Sequence, residues 1–197
     1  MQLKQLTIAD IRFIFDELLA EDFPAAERKP FAMIAPLAEA GMYLGYGLYD
    51  GDTLCAYALF VRAAAGRWLL LDYLAVTRAR RAAGLGSRFL SELAAYDHGF
   101  DGFLGEIEHI ALGADAEETA IRQRRLAFYQ RNGWRLSGVC TRVYGVTYNI
   151  ILLPFSGAAL SDDAVQQELD QVYCAMFPPQ FYRQEVAFLA QPVETRE

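Results

Sequence analysis

The sequence lacks several features that would restrict its class. It has 197 residues but only three cysteines, Cys55, Cys140 and Cys174, which are widely spaced and odd in number. This pattern argues against a disulfide framework or a zinc-type ligand set, so we expect buried, reduced thiols and no metal. No apolar run reaches membrane-spanning length, and the first ten residues hold no signal-peptide run. We therefore expect a cytoplasmic protein.

Positive charge is also scarce. The net charge of −7 makes bulk attraction to nucleic acid or to an anionic membrane surface unfavourable, so we expect neither as a partner. The content of 54% hydrophobic and 22% charged residues is typical of a folded globular chain. Because the net charge is negative, any anion-binding site must be local. This makes the cluster of arginines at 78–81 a candidate for such a site.

The spacing of apolar residues predicts an α+β fold with a mixed, mostly antiparallel central sheet flanked by helices. Thr7 and Asp10 form a capping-box signal for a helix that ends near Ala20. We expect strands at 2–6, 43–49, 53–61, 68–76, 103–110, 134–146 and 147–153. We expect helices at 31–40, from Leu85 to 94–98, from Asp115 to Gly133, and a last one from Ser161 to Pro178-Pro179. For the stretch 180–197 two alternatives remain: it docks on the rest of the chain, or it frays.

The segment Leu69–Leu90 organises the chain. An apolar strand runs through Arg78, Arg80 and Arg81 into a glycine-containing turn, and helical spacing begins at Leu85. Glycines let a ligand approach the backbone, and the unpaired N–H groups of a first helical turn favour an anion. The turn is neither a P-loop, since no Gly-Lys-Ser/Thr ends it, nor the G-x-G-x-x-G dinucleotide fingerprint. We interpret it as a phosphate or pyrophosphate site; the alternative is an ordinary tight turn with solvated arginines.

The turn reads Arg81-Ala82-Ala83-Gly84-Leu85-Gly86, which resembles the Arg/Gln-x-x-Gly-x-Gly/Ala motif of the GCN5-related N-acetyltransferases (GNAT family). The resemblance implies that the cofactor acetyl-CoA is bound through its pyrophosphate by Arg81, Ala82, Ala83, Gly84, Leu85, Gly86 and Ser87. It also implies that Leu74, Ala75 and Val76 pair through their backbone with the pantetheine arm and supply the oxyanion donor.

A second segment, Phe128-Tyr129-Gln130-Arg131-Asn132-Gly133-Trp134, resembles the family's F/L-Y-x-x-x-G-F/W pattern. There the tyrosine is the general acid toward the departing thiolate, so the resemblance assigns that role to Tyr129; the alternative is a core aromatic. In many family members an asparagine stands where this chain has Arg122. The resemblance covers 1–153 as an acyltransferase domain, and 154–197 is expected to be a helical extension packed on it.

Two carboxylates, Glu106 and Glu108, lie two apart on a predicted strand and should project to the same side. Such a pair can attract a cationic amine, and mutual repulsion can make one partner a general base. The alternative is that they pair with Arg122 or Arg125, which are otherwise interpreted as a solvated stripe.

The residues and the resemblance together predict direct transfer of an acetyl group from acetyl-CoA to a primary amine of a small molecule or peptide. Two alternatives remain: a non-catalytic acyl-CoA-binding sensor or interaction module, and a nucleotide-binding protein that uses the same turn. The C-terminal helix could extend the acceptor site, cover the sheet or form a homodimer contact.

Overall fold

The computed structural model describes residues 1–81, 84–96, 99–155 and 160–189. This part of the chain forms a mixed, mostly antiparallel sheet of eight strands flanked by helices, which confirms the predicted fold class. The chain divides into two compact units. Unit 1 comprises Met1–Ala64 and Leu71–Gly99, and unit 2 comprises Ala65–Leu70 and Phe100–Glu197.

Unit 1 has the strand order β1-β2-β3-β4, with β1 antiparallel to β2 and β2 antiparallel to β3. Its strands are β1 Gln2–Gln5, β2 Tyr43–Asp50, β3 Thr53–Val61 and the part of β4 (Trp68–Val76) from Leu71 onward. Its α-helices are α1 Ile8–Phe13, α2 Leu19–Asp22, α3 Phe31–Glu39 and α4 Leu85–Ala95.

The first helical stretch begins as the sequence predicts. The Thr7 hydroxyl accepts from the Asp10 N–H at 3.2 Å, and the Asp10 carboxylate accepts from the Thr7 N–H at 2.8 Å. The stretch then passes through a π-helical segment, Ile14–Leu18, and continues to Asp22 rather than ending near Ala20. The wider turn is closed by the Leu19 N–H, which donates to the Ile14 carbonyl.

Unit 2 has the strand order β4-β5-β7-β6-β8, to which β4 contributes its first three residues. The other strands are β5 Gly102–Glu108, β6 Arg135–Val143, β7 Val146–Pro154 and β8 Val186–Leu189. The pairs β5–β7, β6–β7 and β6–β8 are antiparallel. The α-helices of this unit are α5 Ala116–Arg131, α6 Asp162–Met176 and α7 Pro179–Glu185.

Several predicted boundaries were wrong. Strand β5 ends at Glu108 rather than at Ile110, because the Ile110 N–H donates to the Asn149 side chain at 3.1 Å instead of to the sheet. By contrast, helix α4 ends at Ala95, within the predicted interval 94–98, of which Asp97 and His98 lie outside the described residues. Val146 begins β7 rather than ending β6, because the turn consists of Tyr144 and Gly145, both with positive φ.

The C-terminal prediction was incomplete. Pro178 and Pro179 end α6, as expected, but they also begin α7, which is followed by β8. Residues 190–197 lie outside the described part. Cys174 is exposed rather than buried, because it lies off the apolar face of α6 that buries Val165, Leu169, Val172 and Tyr173. Cys55 and Cys140 are buried, as predicted, and none of the three cysteines forms a disulfide with another described residue.

Candidate functional site

In unit 1 the carboxyl end of β4 is less buried than its beginning. Trp68 to Leu71 are buried, whereas Leu74, Ala75 and Val76 are half-buried. The strand end is fixed to β3 by the Thr77 N–H, which donates to the Cys55 carbonyl at 2.9 Å. The segment predicted to pair with pantetheine is therefore rigidly held and still partly accessible.

The turn after β4 has the backbone that an anion site requires. Gly84 is the N-cap of α4 and has φ +67°, a left-handed conformation that favours glycine. A Cβ built at Gly84 would meet no described atom within 4 Å, and no side chain of the described residues caps the first turn of α4. The start of this eleven-residue helix is thus open beside the backbone. Ala82 and Ala83 lie outside the described residues.

The remaining residues of the predicted pyrophosphate site lie in the first turn of α4. Leu85 is buried and anchors the helix, while Gly86 and Ser87 are half-buried. Peptide N–H groups in a first helical turn have no helical acceptor and carry the positive end of the helix dipole. This turn is therefore suited to a phosphate or diphosphate.

The arginines around the turn are mostly engaged. Arg81 donates to Asp22 at 2.6 Å and, through Nε, to the Val76 carbonyl at 3.3 Å. Arg80 pairs with Asp50 at 3.2 Å. Within the described ranges Arg78 is exposed and has no acidic partner, so it is the cation of this cluster with charge available for an anion.

In unit 2 Tyr129 lies in the last turn of α5, in a cluster of aromatic rings. Its ring centroid is 5.3 Å from that of Phe128 and 5.2 Å from that of Trp134. Gly133, with φ +86°, ends the helix as predicted. Tyr129 is half-buried. Desolvation raises the pKa of its hydroxyl to about 12, and the charge of Arg125 acts in the opposite direction. No described residue forms a hydrogen bond with this hydroxyl, so a neutral phenol O–H is available as a donor.

The two glutamates of β5 are each engaged by a different helix. They lie opposite Ile150 and Tyr148 of β7, at alternate positions of β5. Glu106 accepts from the Tyr173 hydroxyl of α6 at 2.6 Å. Burial and this carboxylate together hold the pKa of Tyr173 well above its usual value, so the phenol stays neutral and donates.

Glu108 is held by two guanidinium groups of α5, Arg125 at 3.2 Å and Arg122 at 3.5 Å. Arg122 also donates to the His109 carbonyl at 2.7 Å and to Glu118 at 2.6 Å. It is buried, with 9% of its surface exposed, so the interpretation of this residue as part of a solvated stripe was wrong. For Glu108 the structure thus contains the predicted alternative, an ion pair with Arg122 and Arg125.

Two further carboxylates were not found from the sequence. The side chains of Asp22 and Asp72 are 4% and 5% exposed, and both lie in unit 1. Asp22 accepts from Tyr57 and Arg81, and Asp72 accepts from Tyr43 and Lys29. Their partners are distant in sequence, so no local motif signals them.

The described residues contain no group of three or more His, Cys, Asp or Glu side chains able to hold a metal ion. None of the helices in the described ranges is long and apolar enough to cross a membrane.

No protein-family model matches the chain, and none of the curated proteins matches its sequence. Solved structures do match. A protein assigned to the GNAT acetyltransferase family in Bacteroides thetaiotaomicron has a TM-score of 0.65 at 18% identity, over 86% of this chain and 93% of that one. An aminoglycoside 6'-N-acetyltransferase complexed with coenzyme A has a TM-score of 0.59 at 15% identity, over 81% and 100% of the two chains.

A third structure is a GNAT-like decarboxylase in complex with isobutyryl-CoA, with a TM-score of 0.58 at 16% identity, over 79% of this chain and 100% of that one. Identities this low establish architecture and leave the reaction to be argued from residues. The chain has the acyl-CoA N-acyltransferase fold of the GCN5-related N-acetyltransferases.

Proposed function

We propose that this protein is an N-acetyltransferase that moves an acetyl group from acetyl-CoA directly to a primary amine. The observation that carries the proposal is Gly84, left-handed and open, at the uncapped start of α4 immediately after the half-buried end of β4. Support comes from the fold, which a coenzyme A complex shares. As part of the same proposal we place the protein in the cytoplasm, where cysteines outside disulfides, such as Cys55 and Cys140, remain reduced.

In this proposal the diphosphate of acetyl-CoA binds the backbone N–H groups of the 81–87 segment, to which Ala82 and Ala83 belong. Arg78 adds an exposed positive charge nearby in sequence, while Arg81 holds the end of the turn through Asp22 and Val76. Leu74, Ala75 and Val76 offer main-chain partners to the pantetheine arm. One of their N–H groups stabilises the oxyanion that forms when the amine attacks the thioester.

The reaction needs two bond changes and two proton transfers, loss of a proton by the amine and protonation of the sulfur. The amine nitrogen forms a bond to the carbonyl carbon, the carbon–sulfur bond breaks, and the sulfur leaves as a thiolate that is protonated to the free thiol. In this proposal Tyr129 interacts with the leaving sulfur. A phenol with a pKa of about 12 is a weaker acid than a thiol with a pKa of about 8.5, so Tyr129 acts chiefly by donating a hydrogen bond to the developing thiolate.

The amine must lose a proton, and Glu106 and Glu108 remain the proposed groups for attracting or deprotonating it. The charge of Glu108 is already compensated by Arg122 and Arg125, which weakens its attraction for a cationic amine. Glu106 accepts from the neutral phenol of Tyr173.

The experiment is to incubate the protein with acetyl-CoA and a panel of primary amines, and to measure both the free thiol and the acetylated amine. The proposal expects one acetylamide for each thiol released. Tight CoA binding without thiol release for any amine would support the sensor alternative. Loss of carbon dioxide from a carboxylated acyl-CoA would show chemistry like that of the GNAT-like decarboxylase instead.

The nucleotide-binding alternative is separated by ligand preference. At equal concentration, a ligand that binds the native state more tightly raises the unfolding temperature more, because the stabilisation grows with the logarithm of [L]/Kd. The proposal expects a larger shift with CoA than with ATP or NAD at equal concentration. The reverse order would indicate that the turn binds a different diphosphate.

A further inference from the structure

An internal ammonium group occupies an acidic and aromatic site in unit 1. Lys29 donates through Nζ to Asp72 Oδ1, and the other oxygen of that carboxylate accepts from the Tyr43 hydroxyl at 2.7 Å. Lys29 Nζ also lies 5.3 Å from the centroid of the Tyr73 ring. One primary ammonium thus meets a carboxylate and a ring face, and a phenol holds the far oxygen of that carboxylate. A carboxylate and an aromatic face are groups that bind such a cation in water-poor surroundings.

The site is closed behind the carboxylate and open on the side of the ammonium. The Asp72 side chain is 5% exposed and the Lys29 side chain is 26% exposed. A carboxylate buried to this extent requires a cation close by, because an uncompensated buried charge is strongly destabilising. An ammonium from another molecule meets that requirement as well as Lys29 does.

The backbone around Lys29 is held independently of its ammonium. The Lys29 N–H donates to the Tyr73 hydroxyl at 2.9 Å, and that hydroxyl donates to the Glu27 carbonyl at 2.9 Å. Withdrawal of Nζ from Asp72 therefore needs rotation of one half-exposed side chain and no movement of the chain.

Aromatic rings line the approach to this site. The ring of Phe15 lies 5.4 Å from that of Phe31, 6.1 Å from that of Tyr43 and 6.0 Å from that of Tyr73, all with edge contacts. Phe15 and Phe31 are half-buried, so part of this apolar wall is accessible. The wall suits the alkyl portion of an aminoalkyl compound whose ammonium reaches Asp72.

We propose that Asp72, Tyr43 and Tyr73 form a binding site for the primary ammonium of the acceptor, and that Lys29 is its internal occupant, which the acceptor displaces. This inference rests on the proposed function; it assigns attraction of the ammonium to Asp72 and leaves its deprotonation to Glu106 or Glu108. Asp72 precedes Leu74 by two residues, about 7 Å along a strand, so it lies on the strand proposed to hold the pantetheine arm. Lys29 then acts as an intramolecular competitor of the acceptor, and the acceptor class is an alkyl primary amine that is cationic before reaction.

The composition of the chain makes a direct test possible, because Lys4 and Lys29 are its only lysines. Lys4 is an exposed control whose Nζ lies 4.9 Å from the centroid of the Tyr49 ring. With ¹⁵N-labelled lysine, the two Nζ signals are followed by NMR while n-butylammonium is added at constant ionic strength. The proposal expects a saturable change at Lys29 and none at Lys4, and no change when n-butanol replaces the amine. An unchanged Lys29 signal at saturating amine would overturn it.

A variant supplies an independent measurement. Lys29→Met keeps an apolar side chain of similar length but removes the competing charge, and Lys4→Met is the matched control. If Lys29 fills the site about 90% of the time, its removal should tighten n-butylammonium binding about tenfold. Unchanged or weaker binding would mean that the ion pair only tethers this segment. If Lys29→Met does not fold, the NMR titration of the wild-type protein still decides the question.

Neither measurement requires acetyl-CoA. Ammonium binding without acetyl transfer would therefore count against the proposed function and not against this site. Transfer to amines by a protein whose Lys29 signal never responds would count against the site alone.

Discussion

Arg81 donates to the nearly buried carboxylate of Asp22 at 2.6 Å, and the second oxygen of the same carboxylate accepts from the Tyr57 hydroxyl at 2.8 Å. Asp22 ends α2, and Arg81 stands at the entry to the turn that precedes α4. The arginine that resembles the first residue of a pyrophosphate-binding motif is therefore also a structural tie. Its charge is largely compensated before any anion arrives.

Removal of this tie should cost stability. Arg81→Met leaves Asp22 with a phenol partner but no cation, and loss of one partner of a buried, charged hydrogen bond costs about 1.5–3 kcal/mol. In an Asp22→Asn background the same substitution should cost clearly less. Urea unfolding of the wild type, the two single variants and the double variant measures the coupling free energy between Arg81 and Asp22.

The control for Arg81 is Arg80→Met. Arg80 pairs with Asp50 at 3.2 Å, but the two side chains are 40% and 49% exposed. Exposed pairs contribute about 0–1 kcal/mol, so this variant should be nearly neutral. Equal losses for the two arginines would contradict the account of Asp22 as a buried anchor.

Gly84→Val should weaken CoA binding. A valine at a left-handed position strains the backbone by about 1–2 kcal/mol, and its side chain fills the space that the proposal gives to the diphosphate. Gly51→Val is the matched control, since Gly51 has φ +61° in the β2–β3 turn and is equally open. Both variants should lose similar stability, but only Gly84→Val should lose CoA affinity by calorimetry. An equal loss of affinity in both would remove Gly84 from the site.

Tyr129→Phe should lower kcat about 10²-fold with little effect on CoA binding, because the lost O–H acts on the leaving sulfur. Tyr144→Phe, at an exposed tyrosine of the β6–β7 turn, should leave kcat unchanged. An unaltered kcat for Tyr129→Phe would identify this residue as a core aromatic.

The pH profile provides a second test of Tyr129. Burial raises its pKa to about 12, so its neutral, donating form persists well above the pKa of about 10 for an exposed tyrosine. We expect kcat to show no tyrosine-dependent decline up to pH 10. A decline with an apparent pKa below 10 in the wild-type protein, absent from Tyr129→Phe, would contradict this assignment.

Alkaline unfolding should follow from the buried tyrosines. Burial, with a neighbouring carboxylate, holds the pKa values of Tyr43 and Tyr173 well above the usual value. Below pH 10 these phenols are neutral in both states; above pH 10 the unfolded state alone loses the proton, so stability falls. Each contributes about 1 kcal/mol between pH 10 and 11, and the slope approaches about 1.4 kcal/mol per pH unit at higher pH. Tyr173→Phe should reduce the slope of the unfolding free energy between pH 10 and 11, and an unchanged slope would contradict the shift.

The parts of the fold that local sequence determines could be predicted. Thr7 with Asp10, Asp115 with Glu118 and Ser161 with Ala164 each form the predicted helix start through a side chain and a nearby N–H. The strand β8 could not be predicted. Its four residues become a strand by pairing with Cys140–Val143 of β6, a partner more than forty residues away.

In the candidate site, too, the features formed by neighbouring residues could be predicted, and those formed by distant residues could not. The turn at Gly84 and the segment at Tyr129 are continuous motifs, so the sequence predicts them, although their catalytic roles remain predictions. The ion pairs of Arg81 with Asp22 and of Lys29 with Asp72 join residues 59 and 43 positions apart. Only the folded chain brings such residues together.

The most direct test of the central claim is calorimetric titration of the wild-type protein with CoA and with pantetheine, which lacks the diphosphate. If the backbone at 81–87 binds the diphosphate, CoA should bind at least about 100-fold more tightly, a difference of about 2.7 kcal/mol, and Gly84→Val should remove most of that difference. Equal affinities for CoA and pantetheine would contradict the account.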